Sequence, residues 1–460
     1  MPVNDFTHFQ MSWRPARAEL GDGPLYLALA AALERDIATG SLPPGTRLPP
    51  QRELADYLDI DFTTVTRAYG ICREKGLVYG VTGRGTFVSE MPGAGRAEQS
   101  AAFDLGVVQG FPFVGEEEIL SAARAVLGRE SAGRLFTYEQ RDGRSRAREA
   151  GRLWLAQRGV AVPATRLAVF PGVQSALSAA LLGVFHVGDA LAVDAFTYAN
   201  LIGLARLARI RLVPVAGDQS GMRADGLAEA VEKQGVRGVF LMPSCANPTT
   251  VRMSARRRDE LADLVARHNL LVLEDDASLL YDSAGTLFAR VPEHTLYLAG
   301  SSRLIAAGLR ATFVAYPEDL RVRLLSGLHH TAIKAGALEA EVLAELVLTG
   351  AAESIVAHKA QLAAEANRVF NQVFGARERK NDCRLFRMVP LAAESAGHGP
   401  ELERRLVAEG IRAFHSDRFR VARGSAEAFL RVSLSSSRGA SALAEGLARL
   451  KRFCADVRKA

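Results

Sequence analysis

The chain has 460 residues, too many for one ordinary hydrophobic core, and its 48% hydrophobic and 23% charged content is typical of a globular protein. No apolar run reaches the length of a membrane helix, no secretory signal is visible, and the four cysteines lack metal-binding spacing. We therefore expect a cytoplasmic protein without a membrane or metal partner. The net charge of +6 favours an anionic partner.

Three short helices followed by a hairpin are predicted for the first ninety residues. Apolar residues recur there at helical spacing, Asp61 is a suitable N-cap, and two β-prone runs flank a glycine-containing turn. The elements are helices over 24–37, after 50 and over 62–75, and strands over 77–81 and 86–89. This order is the layout of a winged helix-turn-helix. The second helix of that motif enters the major groove of DNA.

The same region carries four short motifs that resemble, in order, those of the GntR family of bacterial transcription regulators. They are Gly-Thr-Arg-Leu-Pro-Pro-Gln-Arg-Glu-Leu-Ala at 45–55, Thr-Thr-Val at 63–65, Arg-Ala-Tyr at 67–69 and Gly-Arg-Gly-Thr-Phe-Val at 83–88. The resemblance implies a double-stranded DNA operator as partner. A match in several parts is far more specific than any one of them alone.

The resemblance also implies which side chains contact DNA. Guanidinium groups would clamp phosphates and donate to base edges, and hydroxyl groups would bind the sugar-phosphate chain. The positions carried over are Arg52, Thr63, Thr64, Arg67, Arg84 and Gly85. Residues 1–90 hold nine Lys and Arg against eleven Asp and Glu, so binding would depend on these positions and not on bulk charge. Phe62 replaces an arginine usual in the family, and a phenyl ring cannot read guanine.

Residues 90–102 are small and polar and predict a linker between a DNA-binding domain at 1–89 and a body at 103–460. From about 165, short apolar runs alternate with amphipathic helices, which predicts a mostly parallel α/β sheet with sites at the carboxyl ends of its strands. The runs are 167–170, 190–193, 210–215, 239–242, 270–273, 295–298 and 312–316. A long helix from about Glu339 and a strand at 429–434 predict a smaller α+β subdomain over about 320–460.

Motifs at these strand ends resemble the fold-type I aminotransferases, and in particular the MocR-like regulators, which join such a body to a GntR-type DNA-binding domain. The resemblance implies a homodimer and a pocket for pyridoxal phosphate and a small-molecule effector. Helix-start amides and a guanidinium suit a phosphate, and a carboxylate suits the ring nitrogen. The implied residues are Gly172, Val173, Gln174, Ser302 and Arg310 for the phosphate, Tyr198, Asn247 and Asp275 for the ring, and Arg431 for a ligand carboxylate.

Three positions depart from the family pattern. Arg303 stands seven residues before Arg310, where relatives carry the lysine that forms a Schiff base with the cofactor. An arginine stays protonated and cannot form that bond. None of the seven lysines of the chain has the corresponding context. Ala277 replaces a tyrosine and Thr250 replaces a glycine.

Four hypotheses remain open from the sequence. We favour a DNA-binding regulator that is not an enzyme and senses a small anionic or amino-acid-like ligand, with pyridoxal phosphate absent or held without a Schiff base. An active aminotransferase would need the missing lysine as imine partner and proton shuttle. A third hypothesis replaces the cofactor by another anion held between Arg303, Arg310 and Arg431. In the fourth, the body serves only to dimerise.

Overall fold

The structure is a computed structural model that divides the chain into two compact units, Met1–Ala102 and Phe103–Ala460. It describes residues 11–17, 23–38, 41–43, 45–75, 77–81, 85–89, 102–129, 132–138, 142–276, 284–376, 382–421, 427–437 and 439–457. Most of the predicted linker, the tip of the hairpin at 82–84, and Ala277 lie outside these residues. Within the described residues, no helix is both long and apolar enough to cross a membrane.

The first unit contains three helices and a two-stranded sheet, as expected from the apolar spacing. They are α1 (Leu25–Ala38), α2 (Gln51–Leu58), α3 (Phe62–Glu74), β1 (Val78–Val81) and β2 (Gly85–Val88). The carboxylate of Asp61 accepts a hydrogen bond from the backbone N–H of Thr63 and so caps α3. Strands β1 and β2 pair antiparallel. Leu33, Leu54 and Tyr69 are fully buried in the core of this unit. The winged helix-turn-helix architecture is therefore confirmed.

A seven-stranded sheet forms the centre of the second unit. Its strands are β4 (Leu167–Phe170), β5 (Ala190–Asp194), β6 (Arg211–Val215), β9 (Val236–Leu241), β10 (Leu271–Asp275), β11 (Thr295–Gly300) and β12 (Thr312–Ala315). Short strands outside this sheet are β3 (Phe103–Asp104), β7 (Gly217–Asp218) and β8 (Gly221–Met222). The spatial order is β4-β12-β11-β10-β9-β5-β6. Most strand residues are buried, because helices cover both faces and a sheet of this kind requires near-continuous apolar runs.

The direction of β12 determines which loop residues lie at one edge of this sheet. Strand β12 pairs antiparallel with β11 and with β4, whereas the other neighbouring pairs are parallel. Thr312, at the start of β12, lies beside Gly300 and Phe170, which end β11 and β4. The residues just before β12 therefore join those that follow the carboxyl ends of the parallel strands, where α/β proteins bind ligands.

The helices of the second unit follow the predicted alternation. They are α4 (Glu116–Arg129), α5 (Ala132–Leu135), α6 (Ser145–Ala156), α7 (Val173–Gly183), α8 (Ala199–Leu207), α9 (Ala224–Gln234), α10 (Ala255–His268) and α11 (Arg321–Ala332). Helix α11 packs closely on α7 through Gly183 and Gly327, since a Cβ atom on either glycine would overlap the other helix's backbone. The large sheet-bearing part thus includes α11, beyond residue 320.

The remaining residues form a smaller α+β part. It contains α12 (Ala337–Leu348), α13 (Ala351–Phe374), β13 (Phe386–Pro390), α14 (Gly399–Ala408), β14 (Ile411–Arg412), β15 (Phe414–His415), β16 (Phe429–Ser433) and α15 (Ala440–Val457). The single long helix predicted from about Glu339 was wrong. The chain forms two helices there, because Gly350 adopts a left-handed conformation with φ of 78° between them. A sheet of order β13-β16-β15 places Arg431 on its central strand.

Candidate effector pocket and DNA-binding surface

The turn between β4 and α7 has the features of an anion site. Gly172 has a φ of 83°, and a Cβ atom there would lie 2.7 Å from a guanidinium nitrogen of Arg310. That guanidinium donates to the backbone carbonyl of Pro171 at 3.3 Å. In the first turn of α7, Oε1 of Gln174 and Oγ of Ser175 are buried without hydrogen-bond partners. Backbone N–H groups at a helix start attract anions, and the unpartnered hydroxyl of Ser175 can donate to the same anion, whereas Oε1 of Gln174 is an acceptor.

Arg431, on the central strand of the smaller sheet, lies in an aromatic enclosure. Its guanidinium is within 4.9–5.9 Å of the ring centroids of Phe386, Phe414 and Phe419, and the residue is 6% exposed. One terminal nitrogen donates to Oδ1 of Asn247 at 3.1 Å. Two further donors, Nε of Arg431 and Nδ2 of Asn247, are buried without partners. Buried donors of this kind are costly unless a ligand accepts from them.

Charges around Arg431 show which side chains lie near it. Burial, and next the positive charge of Arg303, lower the pKa of Arg431 to about 9, so it remains a cation near neutral pH. The phenol of Tyr198 opposes this shift. Arg303 and Arg431 are thus close enough for their charges to interact.

Tyr198 links the remaining predicted pocket residues. Burial raises the pKa of its phenol, the guanidinium groups of Arg303 and Arg310 lower it, and the Asp275 carboxylate raises it. The tyrosine hydroxyl accepts a hydrogen bond from Nδ2 of Asn200 at 3.0 Å. Asp275 is buried at the end of β10. Electrostatic effects on one phenol require proximity, so these residues, which are far apart in sequence, share one region of the fold.

Two acids that the motifs did not mark as site residues, the buried Glu274 and the half-buried Asp194, lie at the carboxyl ends of β10 and β5. Glu274 is 1% exposed and accepts hydrogen bonds from the backbone N–H groups of Leu287 and Phe288 at 2.9 and 2.8 Å. Burial raises the pKa of Glu274 to about 7, and burial does the same for Asp194 at the end of β5. Glu274 directly follows a buried run, but only the fold shows that its carboxyl group points into the interior.

The raised pKa of Glu274 predicts a stability change with pH. An acid whose folded-state pKa lies above its ordinary value stabilises the fold below about pH 4.5, and that contribution is lost as the pH rises through 7. Glu274→Gln should therefore flatten the decrease in unfolding free energy between pH 5 and 8 by on the order of 2 kcal/mol. Asp194 should retain its own share of the decrease.

Urea unfolding at several pH values measures this slope. The matched control is Glu229→Gln, because Glu229 is a surface glutamate paired with Lys233. It should leave the slope as in the wild type. Equal slopes for Glu274→Gln and wild type would show that the buried carboxyl does not cause the pH dependence.

The predicted DNA-contact residues of the first unit lie at the start of α3 and on α2. Arg52, Thr63 and Arg67 are exposed and Thr64 is half-buried. The Arg67 guanidinium stacks on the ring of Tyr26 at 3.9 Å from its centroid, and that of Arg52 lies 5.8 Å from the ring of Phe62. The Thr63 hydroxyl donates to Asp61 and so also serves the helix cap.

Arg47 lies beside the wing and was not among the predicted DNA contacts. Gly85 starts β2 with a φ of 115°, and a Cβ atom there would lie 3.0 Å from Nε of Arg47. Arg47 is exposed and belongs to the motif at 45–55. That motif is the sequence feature from which it could have been identified. Arg84 lies outside the described residues.

Comparisons with known proteins agree with this two-part organisation. Residues 25–88 match the bacterial regulatory proteins of the gntR family, and residues 111–450 match the aminotransferase class I and II family. The HTH-type transcriptional regulator YdeF of Bacillus subtilis is 31% identical over 99% of this chain and 100% of its own length. The probable rhizopine catabolism regulatory protein MocR of Rhizobium meliloti is 24% identical over 76% of this chain and 77% of that protein.

Solved structures show the same fold for the second unit. LysN, the α-aminoadipate aminotransferase of Thermus thermophilus, is similar with a TM-score of 0.70 at 21% identity, over 79% of this chain and 94% of that chain. At this identity the likeness demonstrates the fold of the body and not its activity.

Proposed function

The chain belongs to the MocR-like branch of the GntR-family transcription regulators, and we propose that its aminotransferase-like body senses a small anionic effector without acting as an enzyme. The observation that carries the proposal is the grouping of Arg303, Arg310 and Arg431 around Tyr198 and Asn247. Three guanidinium groups favour a ligand with more than one negative group, because each can donate paired hydrogen bonds to an oxyanion.

Pyridoxal phosphate is one ligand that the residues fit in part. When bound, this group supplies an aldehyde and an electron-withdrawing ring. Gly172, Gln174 and Arg310 are suited to its phosphate, and Asp275 is suited to its ring nitrogen. Arg303 offers no neutral amine for a Schiff base, so the fit fails at the aldehyde. We therefore assign to this pocket non-covalent binding of phosphorylated or carboxylated compounds, and no chemical step.

Binding of two related compounds tests this proposal. Pyridoxal phosphate carries the aldehyde, whereas pyridoxine phosphate carries an alcohol in its place. A site without imine formation should bind both with affinities within about threefold, since only the phosphate and ring contacts count. Calorimetric titration of the purified protein measures both values. A preference of about a hundredfold for the aldehyde would contradict the proposal.

A pair of arginine variants locates the binding. Arg310→Ala should weaken binding of both compounds by about tenfold or more, because a charge-assisted contact to the phosphate is lost. The matched control is Arg256→Ala, since Arg256 lies on α10 as a surface residue paired with Glu260. If both variants bound like wild type, the phosphate would not lie at the start of α7.

We also propose that the protein is a homodimer, as the family resemblance implies. Light scattering at micromolar concentration should give twice the mass of the chain. A monomer mass under these conditions would defeat the proposal. A monomer would also give no reason to expect paired half-sites in the operator, because half-site spacing reflects the symmetry of a dimer.

The alternative function, that of a pyridoxal-phosphate-dependent aminotransferase, is favoured by the likeness of the body to solved aminotransferases. It requires a lysine where Arg303 stands, as acceptor and donor of the transferred proton. Incubation of the purified protein with pyridoxal phosphate, an amino acid and a 2-oxo acid should give no amino-group transfer. Turnover above that of free cofactor would establish the alternative.

A further inference from the structure

A lysine interrupts the buried stripe of helix α13. The side chains on this face are otherwise mostly apolar, and they include Ala352, Ile355, Ala363, Ala366 and Phe370. Lys359 lies on the same face and is 1% exposed. Burying an ammonium group is expensive, so its partners decide what it does in the fold.

The partners of Lys359 belong to the segment that carries Arg303. Its Nζ donates to the backbone carbonyl of Ile305 at 2.8 Å and to that of Arg303 at 3.4 Å. The backbone of Arg303 is also enclosed by Gly110, where a Cβ atom would overlap its carbonyl oxygen. The main chain of Arg303 is therefore fixed by a hydrogen bond from Lys359 of α13 and by close packing against Gly110.

We propose that Lys359 is a positioning residue for the effector pocket, fixing the 303–305 turn so that the Arg303 side chain stands beside Tyr198 and Arg431. The contact joins α13 of the smaller part to a loop at the edge of the large sheet. The role depends on the amine, which donates to both carbonyl groups. A methionine in its place would fill nearly the same space but could not donate a hydrogen bond.

The ammonium charge makes this contact sensitive to pH. Burial lowers the pKa of Lys359 to about 8. Burial alone accounts for this shift: among the described residues, none of the charged groups on α12, α13 and α15 or in the 301–309 segment contributes to it. Arg303 contacts the amine through its backbone carbonyl and not through its guanidinium. A neutral amine still donates, but without the charge its hydrogen bonds are weaker.

Hydrogen exchange in the ligand-free protein tests the positioning role. Lys359→Met should speed exchange of backbone amides in peptides covering 301–309 by about threefold or more, because the turn loses two hydrogen bonds. Peptides from α9 and α10 should be unchanged. The matched control is Lys451→Met, since Lys451 also donates to a backbone carbonyl, that of Val373, but at the surface. Unchanged exchange at 301–309 in Lys359→Met would overturn the proposal.

The pH dependence of hydrogen exchange distinguishes the charged hydrogen bonds of Lys359 from a purely packing role, because packing alone would not change with pH. After correction for intrinsic rates, exchange at 301–309 in the wild type should rise between pH 7 and pH 9 relative to α9, and this rise should be missing in Lys359→Met. If Lys359→Met fails to fold, the wild-type profile decides alone, and a flat profile overturns the proposal.

The consequence for ligands rests on the proposed function and has its own test. Affinity for pyridoxine phosphate should fall about threefold or more in Lys359→Met and stay as in wild type in Lys451→Met. If exchange changes but the wild type binds neither pyridoxine phosphate nor pyridoxal phosphate, the positioning role stands and the proposed ligand class fails. If the wild type binds and Lys359→Met binds equally well, the link from Lys359 to the pocket is refuted.

Discussion

Replacing Arg67 by alanine is expected to lower affinity for the operator by about 10- to 100-fold and to relax the preference for one base. Arg67 lies on the exposed side of α3, the helix that enters the major groove in a winged helix-turn-helix. Its guanidinium rests on the ring of Tyr26 at 3.9 Å. Such stacking orders the long side chain before binding, so less entropy is lost when it donates to a base edge.

Three further variants separate base reading from charge. Arg67→Lys keeps the charge and should lose most of the base preference, because an ammonium cannot copy the planar pair of donors. Tyr26→Leu should weaken binding less than Arg67→Ala, since the guanidinium remains but is no longer ordered. Arg35→Ala is the control, as Arg35 is an exposed arginine of α1 beside Asp36.

Anisotropy measurements on the protein's own upstream DNA and on unrelated DNA, at one fixed salt concentration, distinguish the outcomes. Equal losses on both duplexes would assign Arg67 to phosphate contact. No loss on either duplex would remove α3 from the interface. Deletion of residues 1–95 should abolish binding altogether.

The order of elements could be predicted because it depends on local periodicity. The apolar run at 167–170 coincides with β4, and the runs at 190–193 and 295–298 fall within β5 and β11. Fully buried strands produce such runs wherever helices cover both faces of a sheet. The reversed direction of β12 has no local signal, since an apolar run reads alike in both directions. Yet that direction brings Arg310 to the edge of the site.

The candidate pocket residues were proposed from motifs, whereas the side chains that hold the neighbouring backbone leave no such motif. Lys359 looks like an ordinary helix lysine in the sequence, and only the fold shows its amine at the carbonyl groups of Arg303 and Ile305. The same is true of Glu274, whose partners at 287 and 288 are more than ten residues away. Side chains that act through long-range contacts leave no spacing pattern to detect.

The largest expected change in the second unit comes from Arg303→Lys. After incubation with pyridoxal phosphate and reduction with borohydride, the wild type should carry no stable cofactor mass on the peptide containing residue 303. The variant should acquire it. A lysine placed beside Arg431 and Arg310 would lose its proton more readily, because neighbouring positive charges disfavour its ammonium form. The resulting neutral amine would condense with the aldehyde and release water, which the delocalised guanidinium cannot do.

Two controls make this result specific. Arg303→Met removes the charge without adding an amine, so it should gain no adduct. Arg256→Lys adds a lysine at the surface of α10 and should gain none above background. The yellow absorbance of the imine should appear in Arg303→Lys alone. The resemblance implies a tyrosine where this chain has Ala277, so a bound ring would have one contact fewer and we expect partial occupancy. A borohydride-stable adduct on the wild-type protein would overturn the assignment, because another lysine would then have to reach the pocket. Lys359 would be the first to examine, since its amine already lies 3.4 Å from the carbonyl oxygen of Arg303.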